Sequence, residues 1–237
     1  MTAAWKSVAA ALALAMSGWG AQAQTVGPPS GPERFAPEIQ AFAAADRAAA
    51  PAPCGYLFVG SSSVRRWTTL TTDLAPLPVL NRGFGGSTIA DVDFYFDQVV
   101  KPYRPRAIVF YAGENDLAAG KSPEQVTADF RRFLALKDQA LGATPVYFVS
   151  LKPSKLREAQ MAKQAEVNAA VQALAKARKD LRYIDVVAPM LQEGKPKDIF
   201  VEDGLHMTPA GYEIWTAVIK PVLEKDLAER PDACKAA

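Results

Sequence analysis

The sequence predicts an α/β fold with a five-stranded parallel sheet covered by helices on both faces. Two observations carry that expectation. Five short apolar runs, each bounded by turn residues, alternate with stretches of helical pattern. Four of the runs carry no polar residue and the fifth only Asp185, which is the near-continuous apolar character of strands buried on both faces. At 237 residues, 49% of them apolar, the chain can bury one ordinary core, so a single domain is expected.

The first segment is not expected to belong to that domain. Lys6 precedes an apolar run from Val8 to Met16, and small residues follow to Ala21-Gln22-Ala23. This is the layout of a secretory signal over residues 1–23, and the run is shorter than the roughly 20 residues a membrane span needs. Export to the periplasm or medium is therefore expected, and no integral membrane segment would remain after cleavage. The residue directly after Ala23 is Gln24 and not Cys, which argues against a lipid-anchored form. Residues 24–37 are rich in Gly, Pro and Ser and read as a linker, 38–230 as the domain and 231–237 as a tail.

Within the domain, the strands expected are Tyr56–Val59, Leu77–Leu80, Ala107–Tyr111, Val146–Val149 and Tyr183–Val187. The helices expected between and after them are Val64–Leu74, Ile89–Val100, Pro123–Leu141, Leu156–Lys179 and Thr208–Glu229. Thr208 followed by Pro209 is a suitable cap and first-turn pair for the last helix. The formal charge of +2 comes from scattered side chains, so neither nucleic acid nor an anionic membrane surface is expected as a partner. With two Cys and one His, a Cys/His zinc cage is excluded, and in an oxidising compartment Cys54 and Cys234 could pair.

In open parallel sheets ligands sit beyond the carboxyl ends of the strands, which directs attention to the residues following each run. The first run leads into Gly60-Ser61-Ser62-Ser63, which sets a hydroxyl at a turn opening a helix, although Ser clusters also cap helices. The second leads into Asn81-Arg82-Gly83-Phe84-Gly85-Gly86-Ser87-Thr88. The third glycine of a dinucleotide fingerprint is missing there, and a Gly-rich turn can bring a backbone N–H close to a ligand or simply turn the chain. After the third run stands Gly113-Glu114-Asn115-Asp116, where the Asn115 amide could donate to a developing oxyanion or cap the turn. His206, the sole histidine, stands three residues after Asp203, close enough for the carboxylate to orient the ring as a general base. Trp67, Phe84 and Tyr95 lie near these motifs, as acyl-site lining or as core.

The ordered Ser, Gly, Asn and Asp-x-x-His set resembles the SGNH/GDSL hydrolase superfamily over nearly all of the chain from Tyr56 onward. The resemblance implies a three-layer, flavodoxin-like α/β/α fold and hydrolysis of esters, with no metal or organic cofactor. It assigns Ser62 as nucleophile and Asp203 and His206 as its triad partners. Ser62, Gly86 and Asn115 would form the oxyanion hole. Ser61 occupies the place of the usual Asp in the family's Gly-Asp-Ser opening. The Ser-rich opening and Asn-Arg-Gly-Phe-Gly-Gly are similar to a bacterial branch near lysophospholipase and platelet-activating-factor acetylhydrolase-like members. The function expected is that of an exported serine esterase acting on short-chain acyl, above all acetyl, esters of small molecules, glycans or lipids. A carbohydrate O-acetyltransferase and a non-catalytic glycan-binding module on the same fold are the alternatives, and the oligomeric state stays open.

Overall fold

The computed structural model describes Met1 and residues 31–234. Apart from Met1, the expected signal peptide lies outside the described residues, as do 24–30 of the expected linker and 235–237 of the tail. Five parallel strands, β1 (Tyr56–Gly60), β2 (Val79–Gly83), β3 (Ala107–Tyr111), β4 (Val146–Val149) and β5 (Leu181–Ile184), make one sheet ordered β2-β1-β3-β4-β5. The chain builds outward from β1 to β2, then crosses back to add β3 on the other side of β1. That reversal is the topological switch point, where an open α/β sheet leaves a crevice above its carboxyl edge.

Successive side chains of a strand point to opposite faces, and the sheet is packed on both. Leu57 and Val59 enter one cluster, covered by α1 (Ala36–Ala48), α4 (Ile89–Phe94), α5 (Phe96–Val99), α7 (Pro123–Leu141) and α8 (Met161–Ala177). Tyr56 and Phe58 enter the other, covered by α2 (Ser62–Arg65), α3 (Leu70–Asp73) and α9 (Pro209–Glu229). A short helix, α6 (Glu114–Ala118), closes the end of β3. The result is a three-layer α/β/α fold.

The central strands match their apolar runs, whereas the two edge strands are displaced. β2 extends from Val79 through Asn81 and Arg82 to Gly83, and β5 begins two residues early, at Leu181-Arg182. An edge strand has an open side, so it can carry polar residues that interrupt an apolar run. Arg82 pairs with Asp46 and Tyr103, and Asn81 donates to the Val64 carbonyl at 2.7 Å.

Helix limits differ for local reasons. The stretch expected as one helix over 64–74 is two short ones, and 89–100 breaks at Tyr95. The expected start at Leu156 moves to Met161, because Leu156 is tied to the Gly204 carbonyl and a single 3-10 turn, Glu158–Gln160, leads into the helix. Helix α1 was not anticipated, and a helical turn over Pro32–Phe35 leads into it from within the stretch read as linker. Phe35 is buried edge-on against Phe84, and that contact fastens the segment to the sheet. Thr208 stands at the N-cap position of α9, with Pro209 in its first turn. Its side chain, however, donates to the Ile199 carbonyl at 3.2 Å and makes no hydrogen bond to the helix N–H groups. The Phe200–Met207 bridge brings that carbonyl alongside. Trp67, Phe84 and Tyr95 are all buried, so they belong to the core. Cys54 and Cys234 are joined by a disulfide that ties the tail to the entrance of β1.

Candidate active site

The residues singled out after β1, β2 and β3 converge above the switch point. Gly60 has φ +137°, and a Cβ there would lie 1.9 Å from the Tyr111 carbonyl oxygen, so the close approach of β1 and β3 requires glycine. The Ser61 N–H donates to that same carbonyl at 2.9 Å. Ser62 then opens α2, where its backbone N–H has no preceding helical carbonyl to bond. From behind, the Tyr212 hydroxyl of α9 donates to the Ser63 carbonyl at 3.0 Å and braces the turn.

His206 reaches Ser62 from the other end of the chain. The Ser62 hydroxyl lies 2.9 Å from His206 Nε2, and His206 Nδ1 lies 2.5 Å from Asp203 Oδ2. Asp203 also shapes the turn that carries the ring, because its Oδ1 accepts the backbone N–H groups of Leu205 at 2.9 Å and His206 at 2.8 Å. Gly204, at φ +64°, permits so tight a loop. Partial burial opposes ionisation of Asp203, but the bonds from the His206 ring and the two backbone amides outweigh it. They hold the carboxyl well below the usual carboxylate range. A carboxylate that stays ionised keeps a proton on Nδ1 and leaves Nε2 free to accept the serine proton.

The oxyanion-hole candidates lie across from this set. Gly86 has φ +76°, in the left-handed region, and no atom lies within 4 Å of where a Cβ would be, so its face is open. The turn is fixed by the Ser87 hydroxyl, 3.1 Å from the Gly60 carbonyl. Asn115 Nδ2 donates to the Ser87 carbonyl at 2.9 Å, which joins the ends of β2 and β3. Next to it, buried Asp116 accepts the Ile89 N–H at 3.1 Å and the Lys121 ammonium at 3.0 Å. Asn115 is thereby anchored to the helix that follows Gly86.

Three further residues, not identified from the sequence, complete the arrangement. Lys152, just beyond β4, is wholly buried and donates to the Leu205 carbonyl at 3.0 Å and to Glu114 at 3.4 Å. Tyr111 donates to the other oxygen of Glu114. Burial, then the Glu114 charge, pushes the Tyr111 phenol well above its ordinary value, so it remains a protonated donor. Arg157 donates to Asn115 Oδ1 at 2.7 Å. The strand-end rule applied to β4 points to this segment, Ser150 to Arg157. Among the described residues no three His, Cys, Asp or Glu side chains converge as a metal set.

A serine, an imidazole and a carboxylate thus stand in line at the switch point of a doubly wound α/β sheet, and the comparisons with known proteins define the class as that of a carboxylic ester hydrolase. The chain belongs to the GDSL-like lipase/acylhydrolase family, whose model matches residues 53–214. A search of curated proteins finds no match. Among solved structures, a GDSL-like lipase from Bacteroides thetaiotaomicron VPI-5482 is 25% identical with a TM-score of 0.68, over 80% of this chain and 98% of that one. A structure from Streptococcus pneumonia, provisionally assigned as a platelet activating factor, is 21% identical with a TM-score of 0.69, over 79% and 92%. A variant of an acetyl-xylooligosaccharide esterase from Geobacillus Stearmophilus shares the fold at 14% identity and a TM-score of 0.56, over 71% and 93%.

Proposed function

We propose that the protein is an exported serine esterase that removes short acyl groups, acetyl above all, from soluble or glycan-borne esters. The observation that carries this reading is the line of contacts from Asp203 through His206 to Ser62, 2.5 Å and 2.9 Å long. In the proposed reaction Ser62 Oγ attacks the ester carbonyl while its proton passes to His206 Nε2, and the ionised Asp203 stabilises the imidazolium. The oxyanion is held by the Ser62 and Gly86 N–H groups and the Asn115 amide. Collapse of the tetrahedral intermediate expels the alcohol, which takes the proton from His206, and leaves an acyl-enzyme. Water, deprotonated by His206, then releases the acid and restores Ser62.

Several features support the substrate and location proposed. The His206 and Asp203 side chains are 15% and 41% exposed, so the site is shallow and open to a bulky ester presented on a polymer. Leu156 and Val201, both exposed, flank the His206 turn and offer apolar contact to a small acyl group. A structure that shares this fold is named as an acetyl-xylooligosaccharide esterase, which supports an acetylated sugar as the substrate proposed. The Cys54–Cys234 disulfide suits an oxidising compartment, and a signal sequence ending at Ala23 would deliver the chain there.

The test is a chain-length series of p-nitrophenyl esters run beside acetylated xylan and lysophospholipid, with Ser62→Ala as the blank. Hydrolysis peaking at acetyl and lost in Ser62→Ala is expected, together with fluorophosphonate labelling of Ser62. Preference for long acyl chains overturns the substrate assignment, and an unlabelled, inactive wild type overturns the enzyme. N-terminal sequencing of protein from the periplasmic fraction tests export, with Gln24 as the expected first residue.

A further inference from the structure

The hydrogen bond between Arg157 and Asn115 bears on how the oxyanion hole is set. The two ends of an Asn amide are nearly the same in shape, and only their partners decide which is oxygen and which is nitrogen. Asn115 lies between a guanidinium and a carbonyl: Arg157 Nη2 is 2.7 Å from one end, and the Ser87 carbonyl oxygen is 2.9 Å from the other. A guanidinium can only donate, so the amide oxygen faces Arg157 and the amide nitrogen faces Ser87, the neighbour of Gly86. One N–H of that nitrogen is taken by Ser87, and the other is left for a substrate oxygen.

We propose that Arg157 is a positioning residue for the oxyanion hole, fixing the orientation of the Asn115 amide and polarising it as a donor. The inference rests on the reading of Asn115 as an oxyanion-hole group. A charge-assisted bond to the amide oxygen draws electron density from the nitrogen and makes its N–H a stronger donor. No carboxylate oxygen lies within ion-pair distance of Arg157 among the described residues, and its guanidinium is bonded to Asn115 Oδ1. Its backbone is registered to the triad as well. The neighbouring Leu156 N–H donates to the Gly204 carbonyl at 2.9 Å, between Asp203 and His206. From the same loop, Lys152 holds the Leu205 carbonyl at 3.0 Å. One segment therefore sets the distance between the two halves of the site.

The test is steady-state hydrolysis of p-nitrophenyl acetate by Arg157→Met, Arg157→Lys, Asn115→Ala and the Arg157→Met/Asn115→Ala double variant, with thermal melts to verify folding. Loss of a whole oxyanion donor typically costs roughly 10²–10³ in kcat. Removal of its support should cost less: Arg157→Met is expected to lower kcat about 10–100-fold with KM within about threefold, and Arg157→Lys to recover most of it. In the Asn115→Ala background the same substitution should cost less than about threefold, since its target is gone. Equal losses in both backgrounds, or a raised KM with kcat intact, would overturn the proposal. A fully active Asn115→Ala would overturn it too, and would locate the failure in the oxyanion-hole reading instead of in Arg157. If Arg157→Met does not fold, Arg157→Lys and Arg157→Gln carry the comparison, and wild-type kcat in Arg157→Gln would refute it.

Discussion

Asp93 should make the fold lose stability as pH rises from about 4 to 7, opposite to what paired carboxylates do. Its side chain is fully buried on α4, and neither carboxylate oxygen has a hydrogen-bond partner. Burial is the chief reason its pKa is pushed up from 3.8 to about 7. The Arg132 guanidinium, 3.6 Å away and mostly exposed, and Lys121 pull the other way, while Asp129 and Asp116 add to the rise. Between the unfolded and folded values the native state holds a proton that the unfolded chain has released, so stability falls with pH across that window and is level outside it. A rise from 3.8 to about 7 at 1.36 kcal/mol per unit makes the total about 4 kcal/mol. Asp93→Asn cannot ionise. The variant should match wild type near pH 4 and exceed it by up to about 4 kcal/mol at pH 8, a large share of a typical 5–15 kcal/mol total. Urea unfolding of both proteins at pH 4.5, 6, 7 and 8 measures the difference, in which the other carboxylates cancel. A difference constant to within about 0.5 kcal/mol over that range would refute the reasoning.

Asp203→Asn should lower kcat for p-nitrophenyl acetate by up to roughly 10⁴-fold, because an amide beside Nδ1 favours the wrong imidazole tautomer; a tenfold effect or less would count against that role. Lys152→Met leaves Glu114 buried without its cation and should cost about 3–5 kcal/mol in urea unfolding. Adding Glu114→Gln should restore most of that loss, and no recovery would mean the pair is not the source. Replacing Cys54 and Cys234 by Ser opens a loop spanning 180 residues and should destabilise by as much as about 5 kcal/mol on the chain-entropy argument, read as a lower Tm in calorimetry.

The sheet was legible in the sequence where burial dictated it. β1, β3 and β4 lie between two other strands and beneath helices on both faces, so only apolar residues serve, and the runs mark them. β2 and β5 are the edges. Their side chains answer to particular partners, as Arg82 does to Asp46, and a periodicity that records only burial passes over them. Helix α1 escaped for a related reason. Its stretch of Ala offers little contrast between faces and it buries only Ile39, while the contact that fixes it, Phe35 on Phe84, joins residues far apart in the chain.

The site divides along the same line. Ser62, Gly86, Asn115 and His206 stand out because each chemical type falls next to a strand end or a tight turn, and the sheet order then carries them to one crevice. β1 and β3 flank the switch point, so Ser62 and Asn115 emerge on either side of it, and β2 adds Gly86 at the margin. What holds them is written in charges without any such signature. Nothing in the sequence says that Lys152 is buried instead of solvated, since a lysine after a strand is usually at the surface. Its role depends on a carbonyl from residue 205 and a carboxylate from residue 114 meeting it in a space closed to water. Because the ammonium joins the turn carrying His206 to the residue preceding Asn115, weakening it should relax both halves of the site together. Loss of Lys152 should therefore depress kcat even in the Lys152→Met/Glu114→Gln background, where stability is restored but the bond to Leu205 is not.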